Sequence, residues 1–496
     1  YYDRSTTPEQ TVYVYTWDGS TWILDETFVS SAVLFGATVD ISADGNRIVI
    51  GAPGGFEHSG DSTWMASGRV YTYKKFNGVW SLVAQIDSPF VFIPGNGLPF
   101  NKRHDEFGWG VAISSDGTTV TVGSPASRFD GAYQTGRVDT YTFEGIEVGS
   151  ALIGYDLFGA GSDVYTSLDH TGMGQNVAID ADGDTVIPGF GPTRRDNSVK
   201  VFRYSGGSWG QLGNTIDPVD IPEWTRFGFS VSISDDGNTV AISAHLGPGL
   251  QGNPGDRRGY VEVYDLSGST WVLRGSRVFG PDDYPELLTG RTFGATLSGD
   301  GNAFIVEHYN RSAASLERYL AKIFTWNGSS WVQRGDAITS HSYSGTGQSY
   351  HFFQQKRGIT TNGNTVVHII YDGHSTYGPI EVLDWNGSSW VQRGSFLSCT
   401  SCVQAADGTY ATESACEQSN LLWKCNADLT CSQSADGVYT SEAACLANCT
   451  ADCCTWNGDA TFQVAVLGDP SNPEVDGLCN CCLLYTSDAA DDLLCV

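Results

Sequence analysis

The chain has 496 residues, with 27 Lys plus Arg against 56 Asp plus Glu and a formal net charge of −29. That surface repels phosphate backbones, which argues against nucleic-acid binding, and no apolar run approaches the length of a membrane span. Gly is abundant at 60 residues, aromatics reach 12% and charged residues only 17%, a profile suited to many short strands joined by tight turns.

A repeat begins at Phe35. It reads FGATVDISADGNRIVIGAP from Phe35, FGWGVAISSDGTTVTVGSP from Phe107, MGQNVAIDADGDTVIPGF from Met173 and FGFSVSISDDGNTVAISA from Phe227. Weaker copies follow at Phe293 and Arg357. Within each copy apolar residues alternate with small or polar ones, as Val111 and Ile113 do before the turn and Val120 and Val122 after it. A period of two predicts strands with one buried face. The Asp-Gly or Asn-Gly pairs at Asp44, Asp116, Asp182, Asp236, Asp300 and Asn362 predict hairpin turns.

A second hairpin completes each unit. It appears as VYVYTWDGSTWILDETF from Val12, RVYTYKKFNGVW from Arg69, RVDTYTFEG from Arg137 and VKVFRYSGGSW from Val199. It returns as YVEVYDLSGSTW from Tyr260, AKIFTWNGSSWVQRG from Ala321 and PIEVLDWNGSSWVQRG from Pro379. Trp22, Trp80, Trp209, Trp271, Trp331 and Trp390 hold one equivalent position. A Trp repeated once per unit more often packs one unit on the next than forms a ligand cage. Each unit thus reads as four antiparallel strands whose apolar face is buried by radial stacking. The fold class is all-β: a seven-bladed β-propeller over 1–397, with six blades as the alternative. Seven second hairpins stand against six first ones, so the N-terminal hairpin lacks a partner. Either upstream residues supply it, or residues 1–28 complete the ring against the last blade.

The FG start, the alternating strands and the G-x-P ending resemble FG-GAP repeats, as in integrin α-chain heads. The resemblance covers roughly residues 12–396 and implies the propeller fold; one fold hosts many roles. Calcium-binding loops of that family carry several carboxylates around a hard cation. Here most turns carry a single Asp, and only Asp180, Asp182 and Asp184 cluster. They are the calcium candidate, set against a plain hairpin turn; no other cofactor is implied.

Catalytic signatures are weak. Gly206-Gly207-Ser208-Trp209-Gly210 matches G-x-S-x-G, but it aligns with the NGSSW turns of other units, not with a strand-to-helix elbow. Nine histidines are scattered, and His104, His245 and His308 fall near the ends of units. Loops 53–68, 124–136 and 244–259 are long and uneven, and binding residues concentrate in such loops. Arg194-Arg195 and Arg257-Arg258 are basic pairs suited to an acidic glycan; the competing reading of each is a solvated loop.

All 13 cysteines fall between Cys399 and Cys495. CVQAADGTYATESAC from Cys402 and CSQSADGVYTSEAAC from Cys431 form a second, shorter repeat. Such small modules need covalent staples, so Cys399, Cys402, Cys416, Cys425, Cys431, Cys445, Cys449, Cys453, Cys454, Cys479, Cys481 and Cys482 are expected in disulfides, with a zinc cluster as the competing reading. The expected module spans 398–482. The stretch from Leu483 resembles adapter read-through, which sets Cys495 apart; the Tyr1 start suggests a mature or truncated product.

Cysteine density and four sequons, at Asn310, Asn327, Asn386 and Asn448, point to a secreted glycoprotein. The expected role is a non-catalytic structural or adhesive subunit of a wall, matrix, appendage or filament. Its partners would be proteins or further copies, engaged through propeller loops and the Cys-rich tail. The alternative is a carbohydrate-binding or carbohydrate-active propeller.

Overall fold

The computed structural model describes residues 10–17, 19, 22–54, 68–89, 105–127, 136–153, 172–190, 198–218, 226–244, 259–280, 290–310, 319–339, 358–369, 380–393, 464–468 and 479–483. These residues form strands and turns, with no helix among them.

Six antiparallel sheets follow one another in chain order, and we refer to them as blades 1 to 6. Blade 1 is built from Thr38–Ile41, Arg47–Ala52, Arg69–Phe76 and Val79–Asp87, hydrogen-bonded in that order. Blade 2 repeats the order with Gly110–Ile113, Thr119–Ser124, Arg137–Thr142 and the short Leu152–Ile153. Blade 3 uses Met173–Ile179, Thr185–Phe190, Val199–Ser205 and Ser208–Ile216. Blade 4 uses Phe227–Ile233, Thr239–Ala244, Tyr260–Ser267 and Thr270–Leu273. Blade 5 uses Gly290–Leu297, Ala303–Asn310, Tyr319–Trp326 and Trp331–Gln333. Blade 6 has Thr365–Ile369, Ile380–Trp385 and Trp390–Gln392, with Ile359 bridged to Val366 in the first-strand place.

The first strands pack in succession from blade 1 through blade 5. Fourth strands face outward, as the mostly exposed pattern of Val79–Asp87 shows. This is a β-propeller-like, all-β arrangement in which each apolar blade face closes on the next. Val49, Val70 and Ile86 of blade 1, for example, share a core with Phe107, Val111 and Val120 of blade 2.

The FG and G-x-P signatures have one joint cause. The residue before the aromatic takes a left-handed turn, at Leu34 (φ 62°), Glu106 (56°) and Arg226 (56°). That drives Phe35, Phe107 and Phe227 into the core at 0–1% exposure. The glycine after the aromatic then meets the G-x-P glycine of the preceding blade, backbone against backbone. A Cβ on Gly51 would lie 2.2 Å from the Gly108 carbonyl oxygen, and one on Gly123 1.8 Å from that of Gly174. No side chain fits in either place.

The Asp-Gly turns differ in detail from the two-residue hairpin that the dipeptide suggests. Ser42 N–H donates to the Arg47 carbonyl and Gly45 N–H to that of Ser42, which closes a four-residue loop in which the glycine carries the positive φ (64° at Gly45). The two-residue turns lie in the outer hairpins instead, where Asn77-Gly78 and Gly206-Gly207 both have positive φ. Ser208 opens a strand there, where a nucleophile elbow would open a helix.

Two hairpins stand outside the six blades. Gln10–Trp17 pairs with Trp22–Ser30 and packs Val12, Val14 and Phe28 onto the blade 1 core. Val464–Gly468 pairs with Cys479–Leu483.

Candidate functional site

The Asp-Gly turns form one end of the first strands and share a hydrogen-bond plan. In blade 1 the Ser42 hydroxyl donates to Asp44 Oδ1 (2.5 Å) and accepts the Arg47 N–H (3.1 Å), while Asp44 Oδ1 also accepts the Asn46 N–H (3.0 Å). Ser114 and Asp116, Ser234 and Asp236, and Ser298 and Asp300 repeat the hydroxyl-to-carboxylate bond at 2.6 Å. In blade 6 the Thr360 hydroxyl donates instead to the carboxamide oxygen of Asn362, at 2.9 Å. Burial works against ionisation of Asp44 and Asp236. The hydrogen bonds from Ser42 and Asn46, and from Ser234 and Asn238, nevertheless hold both carboxyls below the usual range.

The six turns are also linked to one another. Ala43 N–H donates to Ser115 O (2.9 Å), Asp116 N–H to Ala181 O (3.1 Å) and Ala181 N–H to Asp235 O (3.1 Å). Asp235 N–H donates to Gly299 O (2.8 Å) and Asp300 N–H to Thr361 O (3.0 Å). The turns therefore hand one backbone bond from blade to blade.

Blade 3 breaks the plan. Asp180 occupies the hydroxyl position and still accepts the Thr185 N–H, at 2.9 Å. An ionised carboxylate has no proton to donate to the residue two places on, which here is Asp182. Ligand atoms of Asp180, Asp182 and Asp184 lie within 4.8 Å of one another. Asp180 is 3% exposed, Asp182 is exposed and Asp184 half-buried. Burial, reinforced by the charges of Asp182 and Asp184 and opposed by the Thr185 hydrogen bonds, pushes the Asp180 carboxyl up to about 7. Arg203 approaches Asp184 at 3.3 Å and donates to Thr185 Oγ1 at 2.8 Å. Chemically, such a turn either keeps a proton on Asp180 or gathers a cation among the three carboxylates.

The repeated tryptophans are pins. Trp209 Nε1–H donates to Val148 O (3.0 Å), Trp271 to Leu212 O (2.8 Å), Trp331 to Arg274 O (2.8 Å) and Trp390 to Arg334 O (2.7 Å), each on the preceding blade. Trp80 reaches Asp25 Oδ2 of the N-terminal hairpin at 2.6 Å. The sequence reading missed the arginines that complete these pins. Arg274 lies 4.9 Å from the Trp326 ring centroid and donates to Gly301 O (2.9 Å) on the next blade. Arg334 lies 4.8 Å from that of Trp385 and donates to Gly363 O (2.9 Å). Their signal was the W-V-x-R-G string, WVLRG at Trp271 and WVQRG at Trp331.

Three buried ionisable side chains outside the turns have close partners. Arg137 holds Asp139, with contacts at 2.8 and 2.9 Å. Glu262, 0% exposed, accepts from Arg277 and from the Tyr264 hydroxyl (2.7 Å). His368, also 0% exposed, places Nδ1 at 2.9 Å from Glu381, and its Nε2 is 3.8 Å from Glu307. Asp105 and Glu106 precede the blade 2 aromatic, and burial pushes each up to about 7.

Asn327 and Asn386 are exposed at hairpin tips, and Oδ1 of each accepts the N–H of the Ser two residues on, at 3.0 and 2.9 Å. Asn310 ends a blade 5 strand, and of it and His308 only the backbone is described. Cys479, Cys481 and Cys482 lie in a strand of the C-terminal hairpin, again as backbone. Asn448, the cysteines from Cys399 to Cys454, Cys495, both arginine pairs, His104 and His245 lie outside the described residues. No helix among the described residues is long and apolar enough to cross a membrane.

No protein-family profile matches the chain, and no curated protein matches it. Among solved structures it is similar to the periplasmic gluconolactonase of Pseudomonas aeruginosa, at 13% identity and TM-score 0.46, over 79% of this chain and 96% of that one. A protein from Lactobacillus plantarum gives 8% identity and TM-score 0.44, over 78% and 95% of the two chains. A GH74 xyloglucanase from Xanthomonas campestris gives 13% and 0.42, over 76% and 50%.

Proposed function

We propose that the chain is a seven-bladed propeller of FG-GAP type that serves as a non-catalytic, secreted structural or adhesive subunit of an extracellular assembly. The observation that carries this reading is where the reactive groups go. The repeated indole N–H groups end on carbonyls or a carboxylate of the neighbouring unit, and Asp139, Glu262 and His368 pair with groups of their own blade. An enzyme needs ionisable groups converging on a substrate, and a lectin needs repeated exposed aromatics; among the described residues the repeated tryptophans and these buried charged groups serve rigidity. A rigid disc with uneven loops suits repeated protein contacts. Calcium remains a proposal for Asp180, Asp182 and Asp184.

Secretion predicts glycans on Asn327 and Asn386, whose exposed turns leave room for a sugar. Intact-mass and peptide analysis of the native protein before and after deglycosylation checks this. A mass shift on both tip peptides is the expected outcome; unmodified peptides from native material would remove the sequons as support for secretion. Electron microscopy of native particles tests the structural role, which a chain found only as a free monomer would overturn.

A further inference from the structure

Blades 1 to 5 each present the inward edge of their third strand to a second strand and continue to a first strand near the axis. The N-terminal hairpin corresponds to third and fourth strands alone. Both faces of its inner strand, Gln10–Trp17, are buried. Val12 and Val14 are 0% exposed on the side facing blade 1, and Tyr15 and Trp17 are 3% and 5% exposed on the other. A strand enclosed in this way needs a partner for its inward N–H and C=O groups.

The strand Val464–Gly468 runs alongside Gln10–Trp17, and its mate Cys479–Leu483 comes close to Thr38–Ile41, the first strand of blade 1. Those are the places of a second and a first strand. The sequence agrees with this placement. Ala465-Val466-Leu467-Gly468-Asp469-Pro470 has the apolar run and G-x-P ending of Ile48 to Pro53, and shares the G-x-P ending with Val120 to Pro125. Gly468 thereby stands where Gly51 and Gly123 stand, the glycines that meet the FG glycine of the following blade. Its counterpart would be Gly36.

We propose that the seventh blade is composite: the N-terminal hairpin supplies its outer strands and the hairpin of Val464–Gly468 and Cys479–Leu483 of the same chain its inner ones. The inference rests on the propeller reading. It makes the C-terminal hairpin a strap that closes the ring. The nine cysteines from Cys399 to Cys454 then belong to a loop anchored at both ends on the ring, not to a free tail.

Hydrogen exchange at single-residue resolution on the full chain tests this. Both alternating sets of amides in Gln10–Trp17 should be protected in the wild type. Val466→Pro removes a strand N–H and Gly468→Val blocks the glycine contact. Each should speed exchange of the inward set at least ten-fold and leave the amides of Arg47–Ala52 and Thr239–Ala244 protected. Inward amides that exchange freely in the wild type, or that ignore both substitutions, would overturn the composite blade. Protection that fades on dilution would place a second copy's hairpin in the slot and overturn closure within one chain. Loss of protection in blades 1 and 4 of the wild type would instead sink the propeller reading, and this inference with it.

Discussion

At Asp180 a single atom type decides the behaviour of a turn. The hydroxyl of the equivalent Ser42, Ser114, Ser234 or Ser298 both donates and accepts, and so satisfies its Asp partner without any charge repulsion. Asp180 keeps the accepting role and, once ionised, loses the donating one. Its carboxyl rises from 3.8 to about 7 in the folded chain. A raised folded value means that the native state binds the proton more tightly than the unfolded chain does. The stabilisation is therefore full below pH 4, declines as pH climbs, and is gone above about pH 7. Asp105 and Glu106 act in the same direction. Thermal midpoints should fall between pH 5 and 8 in the absence of divalent cations. Asp180→Ser, which restores the plan of the other turns, should flatten part of that slope and raise the midpoint at pH 8. If the wild type gains as much at pH 8 from added calcium, and Asp180→Ser gains nothing, the carboxylates hold a cation. An unchanged slope in the variant would contradict the account of Asp180.

At the scale of the blade, the pins between neighbours explain why a Trp recurs in the outer hairpin of every blade but the second. Trp271 is 4% exposed and fixed at its Nε1 to the Leu212 carbonyl, so Trp271→Ala should cost about 3–5 kcal/mol in chemical denaturation. Trp271→Phe, which keeps most of the volume and loses the bond, should cost about 1 kcal/mol. Equal losses would mean that the indole N–H contributes nothing. Much of this scale was legible in the sequence, because period-two alternation and the positions of Trp and Gly report local burial and turn geometry directly. The four-residue form of the Asp-Gly turn was not legible, because it depends on the Ser two residues earlier, which the dipeptide alone does not include. The fourth strand of blade 2 was not legible either. The outer hairpin of that unit has no Trp, and its outer strand shrinks to Leu152–Ile153. The Arg274 and Arg334 stacks join residues roughly fifty positions apart on different blades, a distance that no local pattern encodes.

For the whole molecule, cysteine placement separates two kinds of stability. No cysteine precedes Cys399, so blades 1 to 6 owe nothing to disulfides; apolar burial and the inter-blade pins hold them. The segment from Cys399 to Cys454 holds few large apolar residues and nine cysteines. In that composition, closing a loop of about 15 residues contributes roughly 3 kcal/mol, which is large beside what such a segment can bury. Reduction should therefore leave the main thermal transition, followed by tryptophan emission, close to its original midpoint, and should make the Cys-rich region sensitive to protease. Native assemblies joined through that region should fall apart into single propellers under the same conditions, as seen by electron microscopy. A main transition that collapses on reduction would show that the ring depends on the disulfides after all. Assemblies that survive reduction intact would move the contacts to the propeller loops, where the uneven segments 53–68, 124–136 and 244–259 would be the next surfaces to mutate.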